Sequence, residues 1–207
     1  MFKHILVVVA ALVIVGCASP SPYNYVRMEK TTNFTENGVR YTKADIGSAV
    51  QWNEDYVVTA KHVDFVEGIE YKCSEGCDLQ FVKKKAKGPI PQWRERVANE
   101  NVTIVGTNMQ KRVVVAKGKD LDIYTTSNKN TNTDVYLSTA VTEGGMSGGP
   151  VFGDDFKVVG ILTGATNGTD VEGNKVPELV GKGDVFSIYI PYSTIQAEWN
   201  KFQSSKK

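Results

Sequence analysis

The chain has 207 residues, of which 41% are hydrophobic and 23% are charged. This composition is typical of a soluble folded protein and unlike that of a disordered or membrane-spanning chain. Lysine and arginine together number 24, and aspartate and glutamate 23. Because nucleic-acid binding normally goes with a basic excess, the near balance disfavours that class, and we expect no nucleic-acid partner.

The chain opens with the segment MFKHILVVVAALVIVGC, in which Lys3 precedes an apolar run. The run is too short to span a bilayer comfortably as a permanent helix and is typical of a secretory signal. Its end, IVGC, resembles the lipoprotein box of bacterial lipoproteins. The resemblance implies removal of residues 1–16, lipid on Cys17 and, with Ala18 next, a place on the periplasmic face of the outer membrane. An ordinary signal peptide with a chance cysteine is the alternative.

Residues 17–40 are predicted to be the lipidated cysteine followed by a tether or N-terminal arm, because ASPSPYNY is polar and rich in proline. From Tyr41 onward the chain consists of short runs rich in Val, Ile, Thr and Tyr, separated by turns. This pattern predicts an all-β sandwich or barrel. In chain order the runs are GSAVQW, YVVTA, IEYKC, LQFVKK, NVTIVG, KRVVVAK, DIYTT, DVYLSTAV, PVF, KVVGILTG and FSIYI.

Helical periodicity occurs only near the end, in YSTIQAEWNKF. Ser193 or Thr194 could serve as N-cap there, and Ile195, Trp199 and Phe202 would share one face. The glycine-rich stretch from 164 to 184 is predicted to be a loop.

Cys73 and Cys77 lie close together in CSEGC. In an oxidising compartment this spacing favours a disulfide that closes a tight loop. A zinc site is the alternative, but the chain has few further Cys or His residues to complete one. We expect no metal and no cofactor.

Ser147 lies among four glycines in EGGMSGGPVF. A plain turn would explain the glycines. They would equally suit a nucleophile whose hydroxyl must be accessible, with backbone amides beside it that stabilise an oxyanion. Past the signal, His62 in TAKHV is the only imidazole. A lone histidine is more often structural than catalytic.

Taken together, TAKHV and GMSGGPVF resemble, in the right chain order, the histidine and serine motifs of trypsin-fold serine proteases. The resemblance implies two packed six-stranded Greek-key β-barrels with a short C-terminal helix over residues 41–207, divided near 110–125. It implies that Ser147 is the nucleophile and His62 the general base.

The acid of such a triad has two candidates. Asn101 has a spacing from His62 near that of the digestive enzymes, but an asparagine there would favour the wrong imidazole tautomer. Asp78 begins DLQFVKK, which resembles the strand after the acid in HtrA-like proteases, and we expect it to be the triad acid. The gap of 16 residues from His62 is shorter than the usual family gap. The HtrA-like resemblance extends from about Gly47 to Phe202, without the peptide-binding PDZ module.

The same resemblance assigns the amides of Gly145 and Ser147 to an oxyanion hole. It assigns the primary substrate pocket to five uncharged residues, although Val141 could equally be a buried strand residue: Val141, Thr142, Thr163, Gly164 and Ala165. The absence of an acid disfavours Lys and Arg in this pocket, and we expect small or medium apolar side chains to be preferred. Met146 occupies the position where digestive proteases carry the aspartate of zymogen activation, so we expect no such activation.

The sequence therefore predicts a serine endopeptidase that acts on protein or peptide substrates and is held at a bacterial envelope membrane by lipid. Two alternatives remain. The first is a trypsin-fold lipoprotein that has lost catalysis and binds a partner. The second is an unrelated β-barrel envelope protein in which His62 and Ser147 lie far apart.

Overall fold

The computed structural model describes residues 25–37, 39–74, 76–126, 134–169 and 175–206. The predicted signal and the lipidation position Cys17 lie outside these ranges. Within them, no helix combines the length and the apolar character that crossing a membrane requires. The predicted all-β character is confirmed, because eleven strands and one α-helix make up the regular structure apart from a short 3-10 helix at Pro177–Leu179.

The N-terminal lobe is an antiparallel sheet of five strands in the order β1-β2-β3-β5-β4. Its central strands are buried on both faces, as in a lobe that packs against a second one. Its strands are β1 (Val26–Glu36), β2 (Val39–Gln51), β3 (Tyr56–Thr59), β4 (Ile69–Lys72) and β5 (Gln80–Lys83).

The C-terminal lobe is a closed barrel in the order β10-β11-β8-β7-β6-β9. Its inward-facing residues form an apolar core that includes Ile104, Val151 and Leu162. Its strands are β6 (Asn101–Thr107), β7 (Val113–Thr126), β8 (Asp134–Ser138), β9 (Pro150–Phe152), β10 (Val158–Thr166) and β11 (Phe186–Pro191).

The lobes divide earlier than the predicted position near 110–125. Strand β6 pairs with β7 and β9, both members of the closed barrel, so it belongs to the second lobe. The boundary therefore lies between the end of β5 and the start of β6. The second lobe has the six strands expected, whereas the described part of the first has five, since only one strand, β4, lies between β3 and β5.

Every predicted run overlaps a strand, although several extend past its ends, and KRVVVAK and DIYTT both fall largely in the single long strand β7. Strand β1, in contrast, lies in the segment that the sequence analysis assigned to an arm. It pairs with β2 along its whole length, from Val26 opposite Ala49 to Glu36 opposite Val39. The Asn-Gly pair at 37–38 is a hairpin signal that could have revealed it.

The connector between the lobes, residues 84–100, is fixed by buried ion pairs. Arg94 binds Glu100 at 2.6 Å, and Arg96 binds the fully buried Asp120 at 3.0 Å. The hydroxyl of Tyr189 also donates to Asp120, and burial raises the pKa of this tyrosine. Because a buried charge is tolerated only when it is paired, the connector cannot leave the barrel without exposing or unpairing Asp120.

The helix α1 (Tyr192–Ser205) closes the chain against both lobes. Ile195 and Phe202 are buried, as predicted for one face of the helix. The predicted N-cap is wrong, because Pro191 occupies the cap position without a side-chain hydrogen bond and Ser193 lies inside the first turn.

An aromatic cluster joins α1 to the N-terminal lobe and the connector. Trp52 lies 4.9 Å from Trp93 and 6.0 Å from Trp199, measured between ring centroids. Phe81 packs edge-on against Trp199 at 4.9 Å. Edge-to-face and offset contacts of this kind add to the stabilisation from buried apolar area.

Candidate active site

His62 follows the end of strand β3 on a tight turn. The turn is closed by a hydrogen bond of 3.0 Å from the amide of Val63 to the carbonyl of Ala60. Ala60 and Val63 are buried, whereas the imidazole of His62 is 50% exposed. The turn is therefore anchored in the core and presents the ring at the surface of the lobe.

Asp78 lies beside His62 because β5 pairs with β3, with Gln80 opposite Thr59. One carboxylate oxygen lies 2.7 Å from the Nδ1 of His62, and the other accepts the backbone amide of His62 at 3.0 Å. The hydrogen bond with Asp78 raises the pKa of His62 above its ordinary value, against the opposing effect of desolvation. This contact occupies Nδ1 and, because an ionised carboxylate can only accept, favours the tautomer with the proton on Nδ1, which leaves Nε2 free to act as a base.

Asn101, the other candidate for this position, is not near the histidine turn. It begins strand β6 of the second lobe, and its side chain donates to Asp154 at 3.1 Å. The two carboxylate contacts of the turn are thus made by Asp78.

The predicted Cys73–Cys77 disulfide is present and closes the loop that leads into Asp78. The amide of Cys73 donates to the carbonyl of Leu79 at 3.1 Å, and the amide of Leu79 donates to the Sγ of Cys73 at 3.2 Å. Lys61 reaches across from the histidine turn and donates to the carbonyl of Cys73 at 3.0 Å. The sulfurs are bonded to each other rather than arranged as zinc ligands, and the loop holds Asp78 from its N-terminal side.

The glycines around Ser147 have distinct geometric roles. Gly145 and Gly148 have φ of +94° and +84°, a conformation that side chains disfavour. Among the described residues, neither the amide of Gly145 nor that of Ser147 has a hydrogen-bond acceptor, whereas the amide of Gly148 donates to Leu162 at 2.7 Å. Two unpaired amides on either side of Met146, at a partly buried turn, form a place where an anion can bind.

Ser48 of strand β2 ties the Ser147 loop to the first lobe. Its amide donates to the carbonyl of Ser147 at 2.8 Å. Its buried hydroxyl donates to the carbonyl of Gly145 at 3.3 Å and accepts the amide of Thr107 at 2.9 Å. Its carbonyl accepts the hydroxyl of Thr59 at 2.6 Å. One residue thus connects both sides of the candidate site.

Gly148 also lies directly against the first lobe. A Cβ at this position would lie 2.0 Å from the hydroxyl of Thr59, 2.1 Å from the carbonyl of Ser48 and 3.0 Å from the amide of Ala60. Ala60 is two residues before His62, so the residue after Ser147 abuts the start of the histidine turn. The structure thereby places the Ser147 loop and the His62–Asp78 pair on facing edges of the two lobes.

In the described part of the chain, the hydroxyl of Ser147 and the Nε2 of His62 make no hydrogen bond, with each other or with any other group. In enzyme structures without substrate, catalytic hydrogen bonds are often long and tighten only when substrate binds. Met146, beside the serine, is fully buried and packs on Gly106, where a Cβ would lie 2.9 Å from its Cα. Met146 is therefore a core residue that holds the Ser147 loop from the side of the barrel core.

The five predicted pocket residues lie on two segments that flank the Ser147 loop. Val141 and Thr142 follow β8, and the other three lie near the end of β10. Val141 is 62% exposed and outside any strand, which rules out the buried strand role that the sequence allowed. Thr163 is held by a hydrogen bond of 3.3 Å to the carbonyl of Ile188, and a Cβ at Gly164 would meet nothing within 4 Å.

Three residues that support the site were not found from the sequence: Ser48, Thr59 and Gln80. All three are polar residues within apolar strand runs, which is the signal that the sequence offered, and the structure shows that they are buried. Their partners lie on other strands or in the other lobe, so the contacts could not be read from local pattern.

Part of the chain is similar to a known protein family. Residues 72–161 match the model of the trypsin-like peptidase domain. This segment includes Asp78 and Ser147, and His62 lies just before it. No protein of curated function matches the chain.

Solved structures share the fold at low sequence identity. The Rv3671c protease from M. tuberculosis, in its active form, matches with a TM-score of 0.59 and 14% identity over 77% of this chain and 74% of that chain. The HtrA-type protease AlgW, solved with a decapeptide, matches with a TM-score of 0.59 and 15% identity over 88% of this chain and 63% of that chain. The two-lobed chain described above therefore has the fold of HtrA-type proteases, and its residues 72–161 are similar to the trypsin-like peptidase domain.

Proposed function

We propose that the protein is a serine endopeptidase in which Ser147, His62 and Asp78 act as a triad. The observation that carries the proposal is the contact of 2.7 Å between the Nδ1 of His62 and Asp78, on the lobe edge that faces the Ser147 loop. This contact orients the ring so that Nε2 can accept a proton from a nucleophile. It also stabilises the imidazolium that forms when the proton is transferred.

The reaction needs no group beyond these residues and water. The Oγ of Ser147 attacks the scissile carbonyl carbon while its proton passes to the Nε2 of His62. The carbon–nitrogen bond then breaks, and the same proton passes to the leaving amine. Water, deprotonated by His62, attacks the acyl-enzyme, and return of the proton to Ser147 releases the carboxylic acid.

The unpaired amides of Gly145 and Ser147 supply the oxyanion hole in this proposal. Charge develops on the carbonyl oxygen only in the transition state, so donors fixed in advance favour that state over the bound substrate. Each such donor contributes about 3–4 kcal/mol in proteases where it has been removed. Gly145 has a positive φ, which a residue with a side chain would adopt only with strain, so we expect a substitution there to disturb the proposed hole.

The substrate class follows from the five pocket residues, none of which is charged. We propose that the pocket accepts small or medium apolar side chains of protein or peptide substrates. A peptide library that varies the residue before the cleaved bond tests this, and cleavage chiefly after arginine or lysine would contradict it.

We further propose that lipid on Cys17 anchors the protein to the periplasmic face of the outer membrane. The support is the sequence IVGC followed by Ala18. Expression of the full chain and of Cys17→Ser in a Gram-negative host tests this proposal. Only the unsubstituted chain should incorporate labelled fatty acid and sediment with outer membranes.

An active-site fluorophosphonate probe tests the proposed catalysis. We expect the probe to label the full chain and the exposed-serine control Ser204→Ala equally, and Ser147→Ala not at all. His62→Ala should reduce the labelling rate by several orders of magnitude. If the unsubstituted chain is folded but unlabelled, the protein is instead the inactive binding protein that the sequence left open.

A further inference from the structure

Gln80, the first residue of strand β5, lies behind the candidate active site. It is fully buried and lies two residues after Asp78, which precedes the strand. Strand pairing places it opposite Thr59, so its side chain reaches the turn that carries His62. Asp78 and Gln80, at the entry to strand β5, thus both direct their side chains to the same short turn.

The amide of Gln80 spans that turn. Its Nε2 donates to the carbonyl of Val63 at 2.8 Å and to the carbonyl of Ala60 at 3.3 Å. These carbonyls lie on either side of His62, one residue after it and two before. Both positions are fully or almost fully buried, so the two bonds fix the backbone of the turn from the core side.

Burial of the Gln80 side-chain amide costs folding free energy that an apolar side chain would not cost. Its Oε1 is the one buried side-chain oxygen or nitrogen of the described residues without a hydrogen-bond partner. A buried acceptor left unpaired is destabilising, and an apolar side chain would suit the surrounding core, which includes Ala60, Val63 and Val82. The feature that only the amide provides is the pair of donors to the histidine turn.

We propose that Gln80 is a positioning residue for His62, which fixes the turn from behind while Asp78 fixes the ring from the side. Its role in catalysis rests on the proposed function, since it acts only through His62. Its role in holding the imidazole does not depend on catalysis.

Gln51 offers a matched control in the same lobe. It is also buried, and its Nε2 donates to three carbonyls, those of Asn53, Tyr56 and Lys84. These carbonyls brace the far end of the β2–β3 hairpin and none belongs to the histidine turn. Gln51→Met and Gln80→Met therefore remove the same kind of group from the same sheet.

The experiment compares the two variants in the full chain carrying His4→Gln, in which His62 is the only imidazole. Proton NMR follows the Nδ1–H resonance of His62, and a pH titration follows its ring protons. We expect Gln80→Met to speed solvent exchange of the Nδ1–H by about tenfold or more and to shift the titration, and Gln51→Met to change neither. With a peptide substrate, kcat should fall about 10- to 100-fold in Gln80→Met with little change in KM, as a displaced catalytic group predicts.

Identical imidazole spectra and titrations in the two variants would overturn the proposal, whether or not the protein cleaves peptides. If Gln80→Met does not fold, Gln80→Ala is measured in the same way. If neither folds while Gln51→Met does, Gln80 is a general requirement for folding and the specific positioning role is wrong. An unlabelled but folded wild-type chain with the expected NMR difference would refute only the proposed catalysis.

Discussion

The amide of Ser48 donates a hydrogen bond of 2.8 Å to the carbonyl of Ser147, across the junction of the two lobes. The hydroxyl of the same residue is the acceptor for the buried amide of Thr107. The position of the candidate nucleophile is therefore set from the other lobe. This arrangement makes the site sensitive to changes that do not touch any of its reacting groups.

Ser48→Ala removes the hydroxyl but keeps the backbone bond to Ser147. We expect the free energy of unfolding to fall by about 1–3 kcal/mol, because the amide of Thr107 is left buried without an acceptor. The fluorophosphonate labelling rate should also fall, since Gly145 loses a contact. Denaturant unfolding and probe kinetics measure the two effects, and a variant with unchanged stability and labelling would contradict this account of Ser48.

Asp78→Asn tests the identity of the acid. We expect kcat to fall by about 10⁴-fold, as when the corresponding acid of another protease is replaced. His62 must be neutral to act as base, so activity should rise with pH through its folded-state pKa. Since the bond with Asp78 is the main cause of the raised pKa, the midpoint of the residual activity should move to lower pH. Asn101→Ala is the control, and a larger loss in that variant would transfer the role away from Asp78.

Reduction of the Cys73–Cys77 disulfide should loosen the loop that leads into Asp78. For so short a loop, Cys73→Ser with Cys77→Ser should lower the free energy of unfolding by about 2 kcal/mol. We expect the labelling rate of Ser147 to fall as well, measured where the variant is still fully folded. Dithiothreitol should reproduce both effects in the wild-type chain and have none on the double variant. Full labelling after complete reduction would show that the loop holds Asp78 without the bridge.

Gly148→Ala should disrupt the junction of the lobes. The new methyl group would lie 2.0 Å from the hydroxyl of Thr59 and 2.1 Å from the carbonyl oxygen of Ser48, which is far inside van der Waals contact. The backbone φ of +84° would also be strained for alanine. We expect a soluble chain with no probe labelling, or no folded chain at all. Gly88→Ala, where a Cβ meets nothing within 4 Å, is the control and should be neutral. Normal labelling of Gly148→Ala would mean that the lobes pack differently.

Glu70 should make the anchoring of the C-terminal helix sensitive to acid. Bonds from Tyr56 and Lys206 lower the pKa of Glu70 to about 2, from an ordinary 4.5. Because folding lowers the pKa of Glu70, its carboxylate stabilises the folded state at pH values above its ordinary pKa of 4.5. This stabilisation is lost as the pH falls towards about 2. Glu70→Gln should therefore flatten the pH dependence of unfolding in this window, measured by denaturant titrations. Because Glu70 is at the surface, the difference should shrink in 1 M salt, and a difference that is independent of salt would point to another group.

Much of the fold could be predicted because its strands are marked by β-branched and aromatic runs. Two errors have clear physical causes. KRVVVAK and DIYTT were separated by a polar stretch with the appearance of a turn, but β7 passes through it as an irregularity in which Asp122 has φ of +54°. Strand β1 forms a hairpin with β2 and is largely polar and exposed. It therefore lacks the alternation of apolar and polar residues by which strands are recognised.

The candidate site could be predicted only in part. The motifs around His62 and Ser147, and the strand after Asp78, carry local patterns. The supporting contacts of Ser48 join residues 59 and 97 positions away along the chain. Such contacts depend on how two lobes pack, and no local pattern encodes them.

The aromatic cluster has a practical consequence for optical measurements. The protein has three tryptophans, and all of them lie in this cluster between the helix, the connector and the N-terminal sheet. Indole fluorescence will thus report on this one seam, whereas near-ultraviolet circular dichroism will also contain the signal of Tyr189 inside the closed barrel. A transition followed by indole fluorescence excited at 295 nm should be interpreted as disruption of this seam, and an independent signal is needed to establish when the second lobe unfolds.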